Sequence, residues 1–123
     1  MERPLVGRSI LVVEDEPLVA LDVAHGLESA GARVLMARTL ADALNKADDP
    51  ALSAAVLDHG LSDGDTSEVC ERLKTRNIPF VLYSGYSKID GACSEGELVH
   101  KPAHPQVLVV TVTGMLRGRP ISN

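Results

Sequence analysis

Several apolar runs in this chain each stop at a residue able to do chemistry, and that arrangement restricts the fold more than any composition figure. Ile10-Leu11-Val12-Val13 runs into Glu14, Asp15 and Glu16, and Ala55-Val56-Leu57 runs into Asp58. Phe80-Val81-Leu82-Tyr83 ends at Ser84, and Leu98-Val99-His100 ends at Lys101-Pro102. In an open parallel sheet, ligands bind outside the carboxyl ends of the strands. Acids, a hydroxyl and an amine at several such ends therefore describe one site gathered from distant segments.

The stretches between these runs read as helices. Pro17 suits a first helical turn, where its missing N–H costs nothing. Val19, Val23 and Leu27 recur at helical spacing, and Gly31 suits a left-handed cap. Arg33-Val34-Leu35-Met36 reads as a second strand. Thr39 then caps a short helix carrying Leu40, Ala43, Leu44 and Ala47, which stops at Asp48-Asp49-Pro50. Gly60 to Asp65 is a loop, and the Asp65/Glu68 pair has capping-box spacing ahead of a helix through Val69, Cys70 and Leu73. Asn77-Ile78-Pro79 returns the chain to a strand.

Alternation of this kind predicts a doubly wound α/β sandwich with a five-stranded parallel sheet. Two segments fit it poorly. Between Ser84 and Lys101, Gly85, Gly91 and Gly96 interrupt a polar stretch of weak helical periodicity, which predicts that Gly85 to Gly96 is the unusual and mobile part. From Pro105 to Arg117, Leu108, Val112 and Leu116 share a helical face, yet Val109-Val110-Thr111-Val112-Thr113 suits a strand equally well. Topology decides that segment as a helix.

The 123 residues fit a single domain over 1–123, and that length buries a core without staples. With one Phe, two Tyr and no Trp, aliphatic side chains must fill that core. A net charge of -5 argues against nucleic-acid binding, which needs a basic stripe. The N-terminus lacks the apolar run of a signal peptide, and no stretch approaches the roughly 20 apolar residues that span a bilayer. Only Cys70 and Cys93 could pair. Nothing else suggests a secreted disulfide scaffold, so a cytoplasmic location is expected, with Cys70 as buried packing on a helix face.

Glu14, Asp15 and Asp58 at one sheet edge would concentrate negative charge, which calls for a compensating cation. Mg2+ is the natural one, a hard ion that takes oxygen ligands. A carboxylate such as Asp58 can attack a phosphoryl group as nucleophile. Lys101 would neutralise the transferring oxygens, and the Ser84 hydroxyl would hydrogen-bond one of them. Taken singly, each residue has a plainer explanation: the acids at 14–16 also favour the positive end of the following helix, worth about 0.3–1 kcal/mol each.

Taken in order, the motifs resemble the receiver domains of two-component response regulators. Leu11 to Pro17, Val56-Leu57-Asp58, Leu61-Ser62-Asp63-Gly64, Ser84-Gly85 and Lys101-Pro102 carry the resemblance across nearly the whole chain. It implies a flavodoxin-like receiver fold with Asp58 as phosphoacceptor and Asp15 as the principal side-chain metal ligand. Glu14 would assist, and the Gly60 carbonyl would complete the Mg2+ ligands. Ser84 would be the switch hydroxyl and Lys101 the phosphate-pairing lysine. The implied partners are a sensor histidine kinase or a histidine phosphotransfer protein.

Receivers usually carry a Tyr or Phe three residues before this lysine, where this chain has Leu98. The interval from Ser84 to Lys101 is also short for the usual fourth helix, which should be shortened or missing. The run from Pro79 to Tyr86 partly resembles an atypical subgroup named for a Phe-Ala-Thr-Gly-containing motif, with Leu82 and Tyr83 replacing its Phe and Ala. Tyr83 and Tyr86 flank the switch serine, each either core or a substitute aromatic.

The reading that follows is a stand-alone, non-enzymatic phosphoacceptor without an output domain, signalling by protein contact or onward phosphotransfer. Two alternatives stand beside it: a Mg-dependent phosphohydrolase of related topology, and a phosphorylation-independent binding module. Such hydrolases place a second acid two residues after the nucleophile, where this chain has Gly60. The intact acids and lysine argue against the binding module. His59, His100 and His104 lack the paired spacing of a zinc site, though His59 adjoins Asp58, where it would influence access or phosphate lifetime.

Overall fold

The computed structural model describes residues 3–61, 64–85, 89 and 91–121. The strands are β1 (Ser9–Val13), β2 (Arg33–Ala37), β3 (Leu52–Leu57), β4 (Gly60–Leu61), β5 (Gly64–Asp65), β6 (Phe80–Ser84) and β7 (Glu97–His100). The helices are α1 (Pro17–Ser29), α2 (Leu40–Lys46), α3 (Ser67–Thr75) and α4 (Pro105–Leu116). Five strands form one sheet in the order β2-β1-β3-β6-β7, every pair parallel. This is the doubly wound, flavodoxin-like order, whose ligand crevice lies between β1 and β3.

The sheet is covered on both faces, so β1, β3 and β6 are buried at every position. Ile10, Val12, Val56, Val81 and Tyr83 pack with α1 and α4. Leu11, Val13, Leu57 and Leu82 pack with α3 and Ala43 of α2 on the opposite face. The alternation is the strand period of two made visible.

α1 begins with Pro17 and is C-capped by Ala30, after which Gly31 takes φ +103°, the left-handed conformation expected there. A side chain at Gly31 would also meet Val6, with 2.5 Å between its Cβ and the Val6 side chain. α2 starts as expected, the Thr39 hydroxyl accepting from the Asp42 N–H at 3.1 Å. α3 does not use the Asp65/Glu68 box. Its N-cap is Thr66, without a side-chain cap bond, and Asp65 instead accepts from the Ser67 N–H at 3.0 Å. Asp65 lies one residue too early because β4 and β5 form a small antiparallel hairpin inside the predicted loop.

α4 forms despite its β-branched run. Leu108, Val109, Val112 and Leu116 are buried against α1 and the sheet, and this tertiary burial outweighs the small propensity penalty. His104 caps it, its Nδ1 accepting from the Gln106 N–H at 3.0 Å.

No full helix stands between β6 and β7 among the described residues. A 3-10 turn, Gly91–Glu95, takes the place of the usual fourth helix. This turn is tied to α3 at one point. Cys93 is buried and disulfide-bonded to Cys70 on α3, with 5.1 Å between their Cα atoms. Cys70 is thus packed, as expected, but also cross-linked. Gly96 then lets the chain pass over Phe80, whose ring atoms lie 2.6 Å from where a Cβ would stand. Among the described residues, no helix is long and apolar enough to cross a membrane.

Candidate functional site

Parallel register brings the carboxyl ends of β1, β3, β6 and β7 to one edge. Val13 pairs with Leu57, so Glu14, Asp15 and Asp58 emerge side by side, and Asp58 N–H donates to the Val13 carbonyl at 2.9 Å. One carboxylate oxygen from each of the three acids lies within 4.8 Å of the others. This is a compact set of hard oxygen donors, the kind a Mg2+ ion takes. Gly60, exposed at the start of β4, follows two residues beyond Asp58.

Lys101 closes the group from the far side of the sheet. Its N–H donates to the Ser84 carbonyl at 2.9 Å, which carries β7 past the end of β6. Its Nζ lies 2.7 Å from Glu14 Oε1 and 3.4 Å from Asp58 Oδ2. The ammonium therefore provides the cation that close carboxylates require. The Glu14 side chain is only 4% exposed, and burial raises its carboxyl pKa above the ordinary value; Lys101 pulls the other way. Burial also opposes the charge on Lys101, but Glu14 and Asp58 together outweigh it and raise the lysine pKa.

Ser84 is fully buried at the end of β6. Leu98 pairs with Leu82 and faces the α3 side, lining a cavity of about 190 Å³ with Ile89, Cys93 and Ser94. Tyr83 is one residue out of phase and points to the opposite face, among the α1 and α4 side chains. Tyr83 is therefore core and no spatial substitute for an aromatic at position 98. Tyr86 lies outside the described residues, as do Ser62 and Asp63.

Three features escaped the sequence reading. The Tyr83 hydroxyl donates to the Ala103 carbonyl at 3.1 Å and accepts from the Ala103 N–H at 2.9 Å. Thr66, fully buried, ties the loop after Asp58 from behind: its N–H and hydroxyl both donate to the His59 carbonyl, at 3.1 and 3.2 Å. The third is that Cys70 and Cys93, the one possible pair, are in fact bonded. Each is a contact between segments, for which local pattern holds no signal.

No family model matches the chain. A curated relative, the phyllosphere-induced regulator PhyR of Methylorubrum extorquens, is 33% identical over 107 residues, 81% of this chain and 40% of that protein. The response regulator receiver protein of Sinorhizobium medicae superposes with a TM-score of 0.81 at 24% identity, over 92% of this chain and 97% of that one. SdrG from Sphingomonas melonis is 32% identical with a TM-score of 0.76, covering 92% of this chain and 98% of its own. The chain belongs to the response regulator receiver family. This receiver spans half or less of the curated relatives it matches. Its fold also matches the response regulator TrrA of Thermotoga maritima, solved in complex with Mg2+-BeF (24% identity, TM-score 0.78, 89% of the receiver and 99% of that chain).

Proposed function

We propose that this receiver accepts a phosphoryl group on Asp58 from a phosphohistidine of a sensor histidine kinase or a phosphotransfer protein. The Asp58 carboxylate attacks phosphorus, a P–O bond forms as the P–N bond of the donor breaks, and the imidazole leaves with a proton. Glu14, Asp15, Asp58 and the Gly60 carbonyl would hold Mg2+, which supplies charge neutralisation for the transferring phosphoryl oxygens. The carrying observation is Lys101 placed 2.7 Å from Glu14 and 3.4 Å from Asp58, a cation already facing the acceptor.

The chain's own residues supply the rest. Glu14 and Asp58 hold Lys101 in the resting site, and transfer gives Asp58 new anionic oxygens that compete for the ammonium. Lys101 then moves its contact to the phosphoryl group, and the Ser84 hydroxyl donates to another of its oxygens. Both residues are joined through the Ser84 carbonyl and the Lys101 N–H, so their displacement pulls β6 and β7 together. The buried cross-link at Cys93 passes that displacement to α3.

The test is labelling of the purified protein by a panel of kinases and a small phosphodonor, with and without a chelator. Asp58→Asn should take no label, and chelation should stop transfer to the wild type. Label persisting in Asp58→Asn, or transfer undiminished by chelation, overturns the assignment.

A further inference from the structure

The residue before the switch serine does more than fill the core. Tyr83 is 7% exposed, and two of its groups reach the segment that carries Lys101. Its ring centroid lies 5.4 Å from the Lys101 Nζ, within the distance at which an ammonium is attracted to an aromatic face. Its hydroxyl holds both the N–H and the carbonyl of Ala103. One side chain thus grips the lysine and the peptide two residues beyond it.

Lys101 needs such support. Its stem leaves the sheet at the end of β7, and its side chain is 25% exposed. A flexible four-carbon side chain loses rotamer entropy whenever its ammonium is fixed. Glu14 and Asp58 fix it in the resting site, but a phosphoryl group on Asp58 demands a new contact. The Tyr83 face is a third, uncharged partner that leaves Lys101 able to exchange one anion for another. Packing alone does not explain the phenol: a Phe would fill the same volume and make neither bond to Ala103.

We propose that Tyr83 is a positioning residue for Lys101, its ring backing the ammonium and its hydroxyl fixing the 101–103 turn so that the lysine meets a phosphoryl group on Asp58. The inference rests on the phosphoacceptor reading above, and its test separates the two. Two variants divide the side chain: Tyr83→Phe keeps the ring and loses the hydroxyl, and Tyr83→Leu loses both.

In the untreated protein, the ring should shift the Lys101 ε-methylene protons upfield. Tyr83→Phe should keep that shift and Tyr83→Leu abolish it, while amide exchange at Ala103 should quicken about tenfold in both as its hydroxyl bonds are lost. With Mg2+ and beryllofluoride, half-saturation by the analogue should rise about fivefold in Tyr83→Leu, in line with a cation–aromatic contact. The same substitution made on Lys101→Ala should then cost nothing further, because a double-mutant cycle reports coupling that general packing damage would not show.

An equal loss with or without Lys101 would make Tyr83 merely structural and overturn the proposal, as would full analogue affinity in Tyr83→Leu. Tyr83→Phe, nearly isosteric, keeps the test valid if Tyr83→Leu fails to fold: unchanged Ala103 exchange in it refutes the hydroxyl's role. If wild type ignores the analogue, the phosphoacceptor reading falls and the positioning role with it, even where the ring shift and Ala103 exchange behave as expected.

Discussion

Reducing the Cys70–Cys93 bond should destabilise the receiver by about 3 kcal/mol. The two cysteines are 23 residues apart, and closing a loop of that length removes about that much entropy from the unfolded chain at room temperature. Loss of native contacts should add little. Both sulfurs stay buried after reduction with no atoms removed, so no cavity opens. A domain of this size is commonly stable by only about 5–15 kcal/mol, so the loss is a large fraction and should lower the melting temperature by roughly 10 °C. Paired urea titrations of oxidised and reduced protein, with thiols counted in each, give the comparison. The midpoint should fall after reduction, and hydrogen exchange at 91–95 should gain more than exchange in β1 or β3, because only the turn loses a direct tether. Coincident titrations with no thiols before reduction and two after it would refute the loop-entropy reasoning. Two free thiols in air-oxidised protein would refute the bond itself.

Further outcomes follow from the charged site. Lys101→Ala should retain the fold, destabilise the metal-free protein by about 1 kcal/mol, and still bind Mg2+ with beryllofluoride, more weakly, while its amides beyond the site respond little; a wild-type response there would remove Lys101 from the proposed mechanism. Burial raises the Glu14 pKa above its ordinary 4.5, so the folded state holds that proton more tightly than the unfolded chain. Its contribution is complete below pH 4.5 and declines as pH rises through the folded pKa. Glu14→Gln should lack this decline, melt higher than wild type at pH 7 in chelator, and bind Mg2+ more weakly; parallel stability–pH curves would contradict it. Lys101, raised from 10.5, contributes stability that is present below that pH and lost as pH rises through its folded pKa, which a base titration of wild type against Lys101→Ala measures. His104→Ala removes the cap of α4 and should cost about 1 kcal/mol in urea titration; an unchanged midpoint would deny the cap its role.

Local chemistry made much of this protein readable before its fold. An apolar run and the polar residue ending it are covalently adjacent, so Val13 and Glu14, or Leu57 and Asp58, declare a strand end together. Pro17, Gly31 and Thr39 mark helix limits because their backbone or hydroxyl acts within a few residues. From such signals the alternation of elements, the parallel sheet and the residues gathered at its edge could all be read. The acids and Lys101 converge because parallel register leaves strand ends no other place to go.

Contacts across distant segments were decided only in three dimensions. The β-branched run of α4 is helical because its apolar face finds α1 and the sheet, a condition absent from its own propensities. Asp65 lost its cap to Thr66 because two residues on either side of 62–63 paired as strands. Cys70 and Cys93 became neighbours only when the turn after β6 packed on α3. Tyr83 and Leu98 both stood out as aromatic-switch positions, yet strand register places them on opposite faces of the sheet. The period of two says that alternate residues part company; which face meets α4, and so which ring meets Lys101, is settled by packing alone.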